Sequence, residues 1–277
     1  MLSSFSARFS FGASSPVGGG GINPVDVPGL VLWLDADDTP TLTLSGPTTV
    51  TAWADKSEAG NNATTDSGTP TFSTSGGKNG VVFSNSRMYT NCIPATGAGG
   101  RTLFVVTSEA SLPGSPPWYN GPNSHILHYG TSYGYFMVGA YSAYGILNLR
   151  GYQPYYGNNY LQDGFQTSES GTNSDAKVIS CRYNGTVDAW KANNTIVGSN
   201  TIALDTANPI SYWIYTFNPE GITLGSRIGR IDPIRGPGPE EMCNSVKIHE
   251  VLAYDNAISD SDWDGVVNYL TNKWNII

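Results

Sequence analysis

Only one stretch of this chain places its apolar residues at helical spacing. Ile258, Trp263, Val266, Val267, Leu270 and Trp274 fall along one face of a helix. Ser259 precedes that face and Asp262 sits three residues on, an acidic version of a capping box. Lys273 suits the negative end of the helix dipole. Everywhere else the apolar residues come in short runs bounded by Gly, Pro, Asn, Asp and Ser. LVLWL at 30–34, GVVF at 80–83, TLFVVTS at 102–108 and VKIHEVLAYD at 246–255 are such runs. They read as strands, and strands bury their apolar faces by stacking in sheets. The expectation is a β-sandwich with one helix packed against it.

Composition agrees with that expectation. Only 13% of residues are charged, and Gly, Ser, Thr, Asn and Tyr are abundant, which suits many short strands and turn-rich connections. A length of 277 residues does not force two domains on an all-β chain. KVISCRYNGTVDAWKANNTIVGS, at 177–199, reads as a meander, with a two-residue turn at Asn184-Gly185 and a second corner at Asn193-Asn194. In TVTAWADKS, Val50, Ala52 and Ala54 alternate with more polar neighbours, but Trp53 breaks the alternation.

Charge and cysteine usage exclude several classes. The net charge is −8 and the sequence pI about 4.7, so phosphate backbones and anionic lipid surfaces are repelled and no nucleic-acid partner is expected. No apolar run approaches the ~18 residues of a membrane span, so no membrane insertion is expected. Cys92, Cys181 and Cys243 are odd in number and widely spaced, which fits buried free thiols better than a disulfide framework or a zinc site. The first residues carry Arg8 and no continuous apolar core, so they do not read as an export signal.

Those first residues carry another pattern. Phe5, Ala7, Phe9 and Phe11 alternate with Ser4, Ser6, Arg8 and Ser10, and a tetraglycine at 18–21 separates them from the rest of the chain. A lone strand on a glycine tether can neither pair its backbone nor bury its rings. Residues 1–28 therefore read as an anchoring arm and linker, with Phe5, Arg8, Phe9 and Phe11 as its contacts to another molecule; the alternative is an arm that lies on its own domain. Residues 29–277 read as the folded body.

Several residue groups are candidates for chemistry. WLDADD, at 33–38, puts Asp35, Asp37 and Asp38 at the end of a strand. Together with Asp55, Asn61 and Asn62 of the WADKSEAGNNA loop, Asp35 and Asp37 form a candidate calcium site, since calcium takes oxygens from carboxylates and amides. The competing reading is that these side chains turn and brace their own backbone. Catalytic use is disfavoured, because no acid follows at the spacing a sugar-cleaving carboxylate pair needs. His125, His128 and His249 read as structural or surface residues, and Glu240-Glu241 as a solvated turn. Ten of the sixteen tyrosines lie between Trp118 and Tyr160. Tyr offers a flat apolar face with a hydrogen-bonding tip, useful against sugars and at interfaces, and is also common strand filler. Trp118, Tyr119, Tyr155, Tyr156 and Tyr160 flank turn residues and are the candidates for a glycan surface or subunit interface.

GLVLWLDADDTPTLTL followed by WADKSEAGNNA resembles the opening of concanavalin A-like, laminin-G-like jelly-roll domains of bacterial and phage proteins. The closing IHEVLAYDNAISDSDWDGVVNYLTNKW resembles their last strand and helix. Glu58-Ala59 departs from the usual glycine-containing turn, and residues 113–171 match nothing in that pattern. The resemblance implies an all-β, two-sheet jelly-roll sandwich with one C-terminal amphipathic helix. It does not fix function, because such domains include lectins, adhesion domains and hydrolases. Combined with the arm, it points to a non-enzymatic virion structural protein of a bacteriophage: a capsid decoration, collar or tail-fibre component exposed outside the cell. Its expected partners are other virion proteins held through the arm, further copies of itself, and cell-surface glycans. No cofactor other than calcium is expected. The alternative is a secreted or cell-surface carbohydrate-binding module or adhesin domain, and a third reading is a glycoside hydrolase.

Overall fold

The computed structural model describes residues 22–95, 99–111, 124–129, 136–143, 146–154, 161–170, 176–185, 187–201, 221–227, 231–232, 236–237, 241–242 and 245–276. The arm residues Phe5, Arg8, Phe9 and Phe11 lie outside them, as do Trp118, Tyr119, Tyr155, Tyr156 and Tyr160.

The strands, in chain order, begin with Leu30–Asp35 (β1), Leu42–Ser45 (β2), Thr49–Trp53 (β3), Ala63–Ser67 (β4), Thr71–Ser73 (β5), Gly80–Phe83 (β6) and Arg87–Tyr89 (β7). Arg101–Ser111 (β8), Ser124–Tyr129 (β9), Phe136–Ala143 (β10), Ile146–Pro154 (β11) and Leu161–Ser170 (β12) come after them. Lys177–Tyr183 (β13), Val187–Ala192 (β14), Thr195–Thr201 (β15) and Ile222–Leu224 (β16) are next. Ser226–Arg227 (β17), Ile231–Asp232 (β18), Gly236–Pro237 (β19) and Glu241–Met242 (β20) are two-residue ribbons, and Ser245–Tyr254 (β21) is the last strand. The helix, Asp260–Lys273 (α1), closes the chain.

A continuous antiparallel ladder folds into two layers. The first runs β15–β14–β13–β8–β21, with β1 beside the end of β21 and β6 beside its start. The second runs β2–β3–β4–β7–β16–β9–β10–β11–β12. Strand β5 pairs with both β3 and β6 and links the layers. The fold is thus a two-sheet jelly-roll sandwich with one C-terminal helix: the periodicity predicts the sandwich and helix, and the resemblance implies the jelly roll.

Strand alternation divides the core in two. Leu103 and Val105 point between the sheets, where they pack with Leu32, Leu34, Trp53 and Trp190. Phe104 and Val106 point the other way and meet Trp263, Val266, Val267, Leu270 and Trp274 of α1. Burying each of those large side chains contributes ~1.5–3 kcal/mol, so the helix is held chiefly by its apolar face. Ser259 caps it: its hydroxyl accepts from the Asp262 N–H at 3.1 Å and donates to the Asp262 carboxylate at 2.7 Å.

Two local expectations need correction. Val50 and Trp53 are both buried, and the reason is a bulge: Leu44 pairs with Val50 and Thr43 with Ala52, so Thr51 is the extra residue and the alternation resets. The Asn184-Gly185 corner is wider than a two-residue turn, since Tyr183 pairs with Asp188. The two-residue turn is the next one, where Ala192 pairs with Thr195 and Asn193 takes a φ of 52°.

The segment leading into β1 belongs to the helix side. Pro24 and Val27 are buried, and the Tyr254 hydroxyl donates to the Pro24 carbonyl at 3.2 Å. Gly265 of α1 makes room for Ile22: a Cβ at 265 would lie 2.7 Å from Ile22 Cγ2.

Candidate functional site

The acidic cluster at the end of β1 is built into the sheet-helix seam. Trp33 and Asp35 occupy the positions of β1 that face α1, while Leu32 and Leu34 face the other sheet. Directly across the ladder, Asp35 pairs with Glu250 of β21. A bulge brings Glu250 there. Val246 and Ile248 point into the inter-sheet core, as do Val251 and Ala253, and the parity changes at the register shift between Ile248 and Glu250. His249 and Glu250 therefore both lie towards the helix. The His249 ring sits 5.0 Å from that of Trp274 and is hydrogen-bonded to Ser108 and to the Asn79 carbonyl.

Like charges set opposite each other on neighbouring strands repel. Here lysines occupy the space between them. Lys273 Nζ lies 2.7 Å from Asp35 and 2.9 Å from Glu250, and Lys56 Nζ lies 2.7 Å from Asp35 and 2.9 Å from Asp38. Glu250 is fully buried and also accepts the indole N–H of Trp33 at 2.7 Å and of Trp274 at 2.6 Å. Burial pushes the Asp35 carboxyl up, but Lys273 and Lys56 together bring it below its ordinary value. Burial pushes Glu250 above the ordinary glutamate value despite Lys273. Burial pulls Lys273 down, and the facing carboxylates of Glu250 and Asp35 outweigh it, so its pKa is raised.

The WADKSEAGNNA loop closes the free edge of β1. The Asp55 carboxylate accepts from Trp33 N at 2.8 Å, Ser57 N at 2.9 Å and Asn61 N at 2.9 Å. The Trp33 carbonyl accepts from Lys56 N at 2.8 Å, and the Val31 carbonyl from the Asn61 side-chain amide at 2.8 Å. Asn62 braces the loop by accepting from Asp55 N at 2.8 Å. A loop thus satisfies the groups that a neighbouring strand would otherwise have paired, which protects an exposed sheet edge.

The bracing reading of the acidic cluster has contacts behind it. Asp37 N–H bonds the Asp35 carboxylate at 3.1 Å, and Asp37 itself accepts from Asn79 at 3.1 Å. The oxygens of Asp35 and Asp55 face lysine and backbone donors. Among the described residues no group of three or more His, Cys, Asp and Glu could hold a metal ion. Asp35, Asp37, Asp55, Asn61 and Asn62 engage in backbone bracing and ion pairing. Two facing carboxylates are the equipment of sugar hydrolysis. This pair is sealed beneath α1, with the Asp35 side chain 5% exposed and that of Glu250 0%.

One register row crosses the second sheet from Thr64 through Tyr89, Thr223 and His128 to Met137, Tyr152 and Asp163. The neighbouring positions Met88, Leu224 and Leu127 point into the core, so the row lies on the opposite face. Thr64 is exposed and Tyr89 half-buried, whereas Thr223 and His128 are buried. Parallel rows set Arg150 between Gly139 and Gln166, and Asn148 between Tyr141 and Ser168. Strands β9 to β12, which carry Tyr129, Tyr141 and Tyr152 of the tyrosine band, thus form one end of this sheet. Tyr129 of that band is core filler, fully buried between the sheets. Tyr141, Tyr152, Asn148 and Gln166 are not among the candidates that turn-flanking position picks out. Their signal is the alternation in FMVGAYSA and ILNLRGYQP, where Val138, Leu147 and Leu149 hold the intervening positions.

No protein-family model matches the chain, and no curated protein matches it by sequence. Solved structures do. The chain is similar to the binding domain of botulinum neurotoxin DC in complex with SialylT, at 10% identity and TM-score 0.53, over 88% of this chain and 52% of that one. It is similar to the botulinum neurotoxin type G receptor binding domain, at 9% identity and TM-score 0.54, over 87% and 51%. It is also similar to Trypanosoma rangeli sialidase, at 13% identity and TM-score 0.54, over 95% and 36%. The chain spans about half the length of the toxin domains and about a third of the sialidase. At these identities the likeness establishes the fold alone: a β-sandwich.

Proposed function

We propose that this chain is a non-enzymatic binding module that reads glycans with the tyrosine-rich segment between Trp118 and Tyr160. We further propose that its N-terminal arm fastens it to other proteins of a bacteriophage virion, where copies of it are displayed outward. One observation carries the glycan reading: the chain has the β-sandwich fold of a toxin binding domain found in complex with SialylT, and ten of its sixteen tyrosines lie between Trp118 and Tyr160. Tyrosine rings supply stacking surfaces with a hydrogen-bonding tip, which is what sugar hydroxyls and ring faces need. The toxin domain with SialylT bound supports the reading by analogy of fold. The virion reading rests on the resemblance of both ends of the body to phage jelly-roll domains and on the tethered phenylalanine pattern of the arm.

A printed glycan panel tests the first part with the full chain, Tyr141→Ala, Tyr152→Ala and Tyr155→Ala. Selective capture by the full chain, reduced at least about tenfold in one or more variants that keep their melting temperature, is the expected result; each lost stacking contact contributes ~0.5–1.5 kcal/mol beyond burial. Capture of no glycan overturns it. Deleting residues 1–21 tests the second part. A folded body that no longer incorporates into particles is expected, and unchanged incorporation overturns the virion reading. A cell-borne module working alone would then remain, with the glycan reading intact.

A further inference from the structure

We infer that Asn184 is a site of spontaneous covalent modification, at which the side-chain amide becomes a carboxylate by way of a ring closed onto Gly185. This modification is independent of what the chain binds. Asn-Gly pairs occur at 79–80, 120–121 and 184–185. Asn120-Gly121 lies outside the described residues. The fold treats the other two in opposite ways, and that contrast carries the inference.

The reaction needs only water. The glycine backbone nitrogen attacks the asparagine Cγ and a new C–N bond closes a cyclic imide. The bond from Cγ to the side-chain nitrogen breaks, and that nitrogen leaves as ammonia with the proton from the backbone N–H. Water then adds to either imide carbonyl and opens the ring to aspartate or isoaspartate. Nothing is oxidised or reduced. Glycine suits the attacking position because it has no Cβ to obstruct the approach. The peptide group between the two residues must be able to turn, and water must reach it.

Asn184-Gly185 meets both conditions. Asn184 is exposed and Gly185 half-buried. They lie in the corner beyond the last ladder pair of β13 and β14, Tyr183 with Asp188. Gly185 has a φ of 98°. The Tyr183 hydroxyl donates to the Gly185 carbonyl at 2.7 Å, but that carbonyl belongs to the next peptide group, not to the one that carries the attacking nitrogen.

Asn79-Gly80 meets neither. The Asn79 side-chain amide donates to Asp37 at 3.1 Å, and the Asn79 backbone carbonyl lies 2.6 Å from His249 Nδ1. The peptide group is planar, so a held carbonyl also holds the Gly80 nitrogen. Gly80 is buried, pairs with Ser73 in the ladder, and a Cβ there would lie 2.7 Å from Lys247 Cγ.

Incubation of the full chain at neutral and mildly alkaline pH, native and in urea, tests the inference. Cleavage after Lys and Arg puts Asn79 in 79–87, Asn120 in 102–150 and Asn184 in 183–191, so site-resolved mass spectrometry follows each conversion separately. In the native chain Asn184 is expected to convert at least about tenfold faster than Asn79, a barrier difference of ~1.4 kcal/mol. In urea the two rates should converge, because only the fold separates them. Alkali should speed the native step at Asn184, since the deprotonated nitrogen is the better nucleophile. Native conversion at Asn79 that keeps pace with Asn184, or a native Asn184 that stays intact while the denatured chain converts, overturns the inference.

Discussion

Asp35 and Glu250 stand directly opposite each other on neighbouring strands, and the ammonium of Lys273 joins them at 2.7 and 2.9 Å. A helix that arrives last in the sequence thereby neutralises a repulsion created by two strands far apart in the chain. Lys273→Met should leave the carboxylates facing each other beneath α1 and cost about 3–5 kcal/mol, as for other broken buried ion pairs. Adding Glu250→Leu should recover most of that loss, because the repulsion disappears with the charge. Urea unfolding of the single and double variants measures both. A double variant as unstable as the single would contradict this account of the seam.

Acid and alkali should attack the seam through different groups. Asp35 is lowered on folding, so its contribution is present above its ordinary value of 3.8 and is lost as pH falls through the depressed one. Lys273 is raised, so its contribution is present below its ordinary value of 10.5 and is lost as pH rises through the elevated one. Glu250, raised by burial, works against folding once ionised, and its donors offset this. Stability should therefore be broad from weakly acid to weakly alkaline pH. Asp35→Asn should flatten the acid limb of a melting-temperature profile, and an unchanged limb would count against the assignment.

Asp55 is a second point of weakness. Its carboxylate satisfies the backbone N–H groups of Trp33, Ser57 and Asn61. Asp55→Ala should cost about 2–3 kcal/mol by leaving three partly buried donors unpaired. Hydrogen exchange should accelerate first at Trp33 and Asn61, and uniform acceleration across the sheet would argue against a local brace.

Truncation should separate anchor from body at Ile22. Removing residues 1–21 should leave the melting temperature of the body unchanged. Removing 1–28 also takes Pro24 and Val27 from the helix-side core and leaves the Tyr254 hydroxyl without its acceptor, at a cost of about 3 kcal/mol. Thermal melts of both truncations check this.

Cys92 and Cys181 are buried, and burial pushes the Cys92 thiol up to about 12. Both should resist alkylation in the native protein and react in denaturant. Rapid native labelling at either position, read by peptide mass, would contradict the packing.

The periodicities that carry long-range information were the legible ones. Ser259 to Trp274 announced the helix, its cap and its buried face, and Asp55 with Asn62 announced a self-bracing loop. Bulges hid the rest. The extra residue at Thr51 disguised β3, and the parity change before Glu250 concealed an acid inside a buried strand. Glu250 still left a trace: a charge among Ile248, Val251 and Leu252 must have a partner, and Lys273 lies at the apolar end of the helix. The rows of Tyr141 and Tyr152 were invisible because alternation gives faces but not which strands lie side by side.

The most direct test of the central claim tracks one captured glycan through time with the purified full chain. The account predicts saturable, stoichiometric binding, with the glycan recovered intact and no new reducing ends. Release of cleaved sugar in excess of the protein, or no saturable binding to any glycan, would contradict it.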